Sequence, residues 1–246
     1  MTLTDDFLPY NPQSPDTTPY IESSRNILIE PKQNPSTFST WQNPDHLTQV
    51  LNNSKGKIII WDFDGVISDT EPTQWASYRM LLQQLGVTSP APFPKILIGR
   101  PEFEIWEKLF DMGVPAQNIN TLVEKRSKIY LEIAKASLSP SWLVKELMPI
   151  FSETAKKQYV ISNGNRTTNI ALLTHWDMLH FVDVVDKGTA TKDELFIYHA
   201  QEQPTVIIED TAIHARVAKE NGAFVIGVLH SLSITKDIPA DIIVHI

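Results

Sequence analysis

The stretch KIIIWDFDGVISDTE, Lys57 to Glu71, carries an apolar run straight into two aspartates, Asp62 and Asp64. Crowding carboxylates at the end of a buried run is costly, because each raises the pKa of the other unless a cation intervenes. Ile58 to Trp61 is apolar without alternation, as a strand covered on both faces is. Further short β-branched runs come at Tyr159 to Ser162, Val182 to Val185, Thr205 to Ile208, Ala223 to Val228 and Ile242 to Val244. Helical spacing separates most of them, with Ile170, Leu173 and Trp176 in one segment and Ile213, Val217 and Ala218 in another. Strands alternating with helices in this way predict an α/β fold, a doubly wound, Rossmann-like parallel sheet.

One gap breaks the alternation. About a hundred residues lie between Trp61 and Tyr159, where a single crossover helix would suffice. Trp75, Tyr78, Leu82 and Leu85 fall at helical spacing, as do Phe103, Trp106 and Phe110, then Leu122, Ile129 and Ile133; the proline-rich TSPAPFP separates the first group from the second. Residues 71–140 are therefore expected to form a helical cap inserted after the first strand, with residues 56–70 and 141–246 as the α/β core. Residues 1–55 hold seven of the seventeen prolines and none of the nine glycines, and read as a Pro/Asn/Ser-rich extension. Within it, Asn43 as cap and Leu47, Val50 and Leu51 on one face predict a short helix. The extension is expected to be disordered or strapped onto the main body, although it could contact a partner.

Composition narrows the function. The chain has 246 residues, is 42% hydrophobic and carries a formal net charge of −8, so no broad cationic face for nucleic acid is expected. It has no cysteine, which removes disulfides, thiolate metal sites and cysteine nucleophiles. Its first residues, MTLTDDFLPYNP, are acidic rather than basic and apolar, and no run approaches the ~20 apolar residues of a membrane span, so a cytoplasmic protein without a membrane partner is expected.

Ligand sites in open parallel sheets gather at the carboxyl ends of the strands. The first run ends in Asp62 and Asp64, the second in Ser162 with Asn163 and Gly164, and the fourth in Glu209 and Asp210; Lys192 comes after the third. Up to four carboxylates would face one another there. A hard divalent ion with oxygen ligands, Mg²⁺ above all, would make the cluster tolerable. Metal, carboxylates, lysine and hydroxyl together are what phosphoryl transfer needs.

DFDGVISDT, VISNGN, the lysine after it and VIIEDTAIHARVAKENGAFVIGV resemble, in order, the four motifs of the haloacid dehalogenase superfamily, in its β-phosphoglucomutase-like branch with a helical cap. The resemblance covers about residues 57–246 and implies an Mg²⁺-dependent phosphatase acting on a small phosphorylated metabolite. It implies Asp62 as nucleophile, forming an aspartyl phosphate, and Asp64 as general acid and then base. Asp62, the backbone carbonyl of Asp64 and Asp210 would hold the metal, with Glu209 in or near that shell. Ser162 and Lys192 would hold the phosphoryl oxygens, aided by amides of Phe63, Asp64, Asn163 and Gly164. Relatives often have proline soon after the motif lysine, whereas DELF comes after Lys192 here and the stretch to the fourth strand is short, so Lys187 remains a candidate beside it.

Blander readings apply elsewhere. Glu71 and Arg100 are candidate substrate contacts, or simply a helix start and a charged surface. Arg166 and His214 are read as facing solvent, and Trp75 and Trp106 as core packing rather than a base-stacking platform. SKGK at residues 54–57 lacks the glycine spacing of a P-loop. A phosphomutase of the β-phosphoglucomutase type, or a non-catalytic binding protein that keeps the fold, are the competing functions.

Overall fold

A computed structural model of the chain describes residues 41, 43–90, 93–97, 100–230, 233 and 237–246. The expectations for residues 1–40, including contact with a partner, lie outside them. Six parallel strands form one sheet: β1 (Ile58–Trp61), β2 (Lys157–Val160), β3 (Asp183–Val184), β4 (Thr205–Glu209), β5 (Phe224–Leu229) and β6 (Ile242–His245), in the order β3-β2-β1-β4-β5-β6. Trp61 pairs with Val160 on one side and Ile208 on the other. The strand order reverses at β1, so connections leave it toward opposite faces and a crevice opens at its carboxyl end.

Alternate residues of β1 enter different cores. Ile59 and Trp61 pack on one face with Leu147 and Phe151 of α6 (Trp142–Thr154) and Leu172 of α7 (Arg166–His175). Ile58 and Ile60 pack on the other with Phe196 of α8 (Lys192–Glu202) and Ala215 and Ala218 of α9 (Ala212–Glu220). Every β1 residue is buried, which explains the run's lack of alternation. Burying each such side chain contributes about 1.5–3 kcal/mol.

The helix α1 (Pro44–Ser54) forms as its cap predicts, the Asn43 side chain accepting from the Asp45 amide. It packs on the body: Val50 and Ser54 are fully buried, and Trp41 meets Trp142 edge-on at 5.4 Å while its indole nitrogen donates to Glu146. The apolar stripe of the helix has to be covered, and the sheet's first layer covers it.

Between β1 and α6 stand α2 (Glu71–Gln84), α3 (Phe93–Leu97), α4 (Glu102–Asp111) and α5 (Ile119–Ser137), with a separate apolar cluster around Tyr78, Leu82, Trp106 and Leu122. The stretch read only as a proline-rich separator runs at its end into α3, which starts at Phe93. The buried faces also differ from the expected ones. Phe103 is 52% exposed while Ile105, Trp106 and Leu109 are buried, and α5 buries Leu122, Arg126, Tyr130 and Ala134 rather than a purely apolar row. The insert is tied to the core where its two ends meet: Ser141 donates to the carbonyls of Ile67 and Val66, and Ser68 to that of Ser139. Among the described residues, no helix is long and apolar enough to cross a membrane.

Candidate active site

Asp62 leaves β1 with its amide bonded to the Ile208 carbonyl, which sets it beside the end of β4. Asp62, Glu209 and Asp210 each bring a carboxylate oxygen within 4.8 Å of the others. Lys192, the first residue of α8, is only 3% exposed; its Nζ lies 2.8 Å from Asp62 Oδ1 and 2.6 Å from Glu209 Oε2. A reciprocal capping box between Thr191 and Glu194 fixes the start of that helix. Lys187 is elsewhere, donating to Asn163 Oδ1 at 2.9 Å, so of the two candidate lysines Lys192 is the one among the acids.

The charges do not balance. Fully ionised, three carboxylates against one ammonium leave two surplus negative charges in a buried site. Burial pushes the Asp62 carboxyl well above the ordinary range against the pull of Lys192, with Glu209 and Asp210 adding to the rise. Asp210 is raised well above its ordinary value by burial and then by Glu209. Burial is the largest influence on Glu209 and acts to raise it, but Lys192, then His214, and the hydrogen bonds from Lys192 and Thr211 together outweigh it, so this carboxyl lies lower than usual; its Oε1 accepts from the Thr211 amide and hydroxyl. Lys192 is held above the ordinary lysine value because Asp62 and Glu209 overcome its desolvation. Asp210 Oδ1 is buried without a hydrogen-bond partner among the described residues. An orphaned buried oxygen beside two uncompensated charges fits a divalent cation with oxygen ligands.

Gly65 completes the cradle. Its φ is +77°, and a Cβ there would lie under 3 Å from the Asp210 carboxylate. The turn it makes, with its amide bonded to the Ser68 carbonyl, swings the chain from β1 into α2. Asp64 faces this site from the other side. Its Oδ1 accepts from the Thr70 hydroxyl at 2.5 Å and from Gln74 at 3.3 Å, and its Oδ2 lies 3.4 Å from Ser162 Oγ. Ser162 stands two residues past β2, where its oxygen also accepts from the Gly164 amide at 2.9 Å. A cavity of about 150 Å³ opens beside them, lined by Ser162, Gly164, Arg166, Asn169 and Lys187.

Glu71, first in α2, is half-buried and accepts from Trp75; burial and then the charge of Asp64 raise its pKa. Arg100 is exposed and pairs with Glu104 at 3.7 Å on the insert. Arg166 is exposed but also donates to the Val184 carbonyl, and His214 is half-buried, 2.5 Å from Asp193 Oδ1, rather than solvated. Sequence reasoning missed His230, whose side chain is buried with Nε2 3.2 Å from Asp210 Oδ2 and Nδ1 3.7 Å from Asp69. It stands directly after β5, and the strand-end rule applied to that run would have found it. Thr70, Gln74 and Arg126 were missed as well.

Sequence comparison matches the haloacid dehalogenase-like hydrolase family over residues 59–228. The chain is 25% identical over 175 residues to the fructose-1-phosphate phosphatase YqaB of Escherichia coli, covering 67% of this chain and 92% of that protein. It is 23% identical over 190 residues to a phosphorylated carbohydrates phosphatase of Thermotoga maritima, covering 71% and 86%. Among solved structures, CbbY of Rhodobacter sphaeroides in complex with phosphate superposes with a TM-score of 0.66 at 15% identity, over 76% of this chain and 93% of that one.

Proposed function

Since the chain belongs to the haloacid dehalogenase-like hydrolase family, we propose that it is a phosphatase hydrolysing a small phosphate monoester, of the phosphorylated-sugar class, through an aspartyl phosphate on Asp62. The observation that carries this reading is the acidic trio Asp62, Glu209 and Asp210, of which the buried Asp62 and Glu209 share Lys192, facing Asp64 at the sheet's switch point. The names of the two phosphatase relatives support the substrate class.

In the first half-reaction an Asp62 oxygen bonds to phosphorus as the ester P–O bond breaks, and the departing oxygen takes the proton of Asp64. In the second, water bonds to phosphorus while Asp64 takes its proton, and the P–O bond to Asp62 breaks to release inorganic phosphate. Ser162, Lys192 and the amides of Asn163 and Gly164 hold the phosphoryl oxygens. Asp62, Asp210 and the Asp64 carbonyl would hold a divalent cation, Mg²⁺ by preference, with Glu209 in or near the shell. Such an ion neutralises charge on the phosphoryl group. The helical insert, as a cap, would exclude bulk water and shape the pocket, with Glu71 and Arg100 as candidate substrate contacts.

The test is phosphate release from a panel of phosphorylated metabolites, with Mg²⁺ and with chelator, using Asp62→Asn as the blank. Metal-dependent release abolished in Asp62→Asn is expected. Interconversion of sugar phosphate isomers without phosphate release would make the protein a mutase, and activity indifferent to Asp62→Asn would remove the mechanism.

A further inference from the structure

The helical insert buries one arginine, and the hydrolytic steps make no use of it. Arg126 of α5 is 7% exposed and grips Glu102 of α4 with two bonds, Nε to Oε1 at 2.5 Å and Nη2 to Oε2 at 3.0 Å. Its guanidinium lies 4.6 Å from the Tyr78 ring centre. The remaining nitrogen, Nη1, donates to Gln74 Oε1 at 2.7 Å and to Ser77 Oγ at 3.2 Å. Gln74 in turn reaches Asp64 Oδ1 at 3.3 Å.

The chemistry of arginine and of the glutamine amide fixes the direction of the bonds that run from Arg126 through Gln74 to Asp64. Arginine only donates, so the Gln74 atom facing it is the carbonyl oxygen, and the amide that faces Asp64 is the NH₂. Gln74 therefore donates to Asp64 Oδ1, as the Thr70 hydroxyl does. An oxygen already met by two donors is a poor place for a proton. Oδ2 is the other oxygen, and it faces Ser162 and Gly164: a Cβ on that glycine would come within 3.1 Å of it. Glu102 cancels the charge of Arg126, so the chain of bonds delivers orientation with little net field at the acid.

We propose that Gln74 and Arg126 are positioning residues for Asp64: they engage Oδ1 and so assign the transferable proton to Oδ2, on the phosphate side. This rests on the reading of Asp64 as general acid. The step it governs is the first, in which the P–O bond to Asp62 forms, the ester P–O bond breaks, and the proton on Oδ2 passes to the leaving oxygen. Glu102, Arg126 and Gln74 all sit on helices of the insert, so the insert's packing sets the aim of the acid.

The test compares wild type, Gln74→Glu and Arg126→Lys on two substrates: the sugar phosphate turned over fastest, and p-nitrophenyl phosphate, whose leaving group departs without a proton. Gln74→Glu keeps size and the bond to Arg126 but replaces the donor with an acceptor. Its kcat/KM for the sugar phosphate is expected to fall about 10²-fold, with less than about fivefold loss on p-nitrophenyl phosphate and an unchanged melting temperature. Arg126→Lys is expected to fall between the two. Equal losses on both substrates, or a silent Gln74→Glu, would overturn the proposal while leaving the phosphatase reading intact. A wild type that releases phosphate from no monoester, aryl or sugar, would overturn both.

Discussion

Gly65 has to be a glycine for two separate reasons. Its backbone lies in the left-handed region at φ +77°, and the space a Cβ would need is taken by the Asp210 carboxylate and His230. Gly65→Ala incurs about 1–2 kcal/mol for the backbone, and relief of the clash displaces Asp210. A displacement of this kind costs about 10²-fold in turnover; unchanged kcat together with unchanged Mg²⁺ affinity by calorimetry would contradict the geometry. Lys192 makes the complementary case. It pairs with both buried carboxylates, Asp62 and Glu209, so Lys192→Met leaves them without that ammonium. We expect about 3–5 kcal/mol of destabilisation in urea with chelator present, partly recovered when Mg²⁺ is added. A variant as stable as wild type in chelator would mean that the acids are solvated rather than buried.

Among the helices and strands, the legible part is what a periodic pattern can carry. The unbroken apolar run Ile58 to Trp61 announced a doubly covered strand, and Asp62, Ser162, Glu209 and Asp210 could be placed at strand ends because β1, β2 and β4 could. The third strand has only Asp183 and Val184, too short to fix the register of the residues after it, so sequence left Lys187 and Lys192 open. α5 was misread for a different reason. A charge on a helix ordinarily marks the solvent face, and Arg126 is buried only because Glu102, on another helix, neutralises it; a pairing between helices leaves no local periodic trace. His230 follows β5 with no acid at that strand end to mark it. The start of α8 offers a test of how one such element places a functional side chain. Thr191→Ala removes the capping box that sets Lys192 at the first helical position. It is expected to cost about 1 kcal/mol in chemical denaturation, with activity reduced while α8 persists. Full activity in this variant would show that the lysine's ion pairs alone locate it.

For the molecule as a whole, the site links stability to pH and, on the proposed reading, to metal. Asp62 and Asp210 have folded-state pKa values raised well above their ordinary ones, by burial first and neighbouring acids next. Such groups bind more protons folded than unfolded, so their contribution is fully present below the unfolded value of about 3.9 and is lost as pH rises through the raised pKa. Glu209 works the other way. Its lowered pKa gives a contribution present above the ordinary glutamate value and lost as pH falls through the depressed one, which confines it to the acid end. From about pH 5 upward the two aspartates therefore dominate, and in chelator the melting temperature is expected to decline as pH rises toward 8. The divalent cation of the proposed mechanism would replace the protons that relieve the cluster, and at a concentration of 100 Kd it would add about 2.7 kcal/mol. With Mg²⁺ the decline should flatten, and in Asp210→Asn it should shrink even in chelator. Melting curves with one pH slope in both conditions would show that the surplus negative charge of Asp62, Glu209 and Asp210 is relieved by something other than protons or metal.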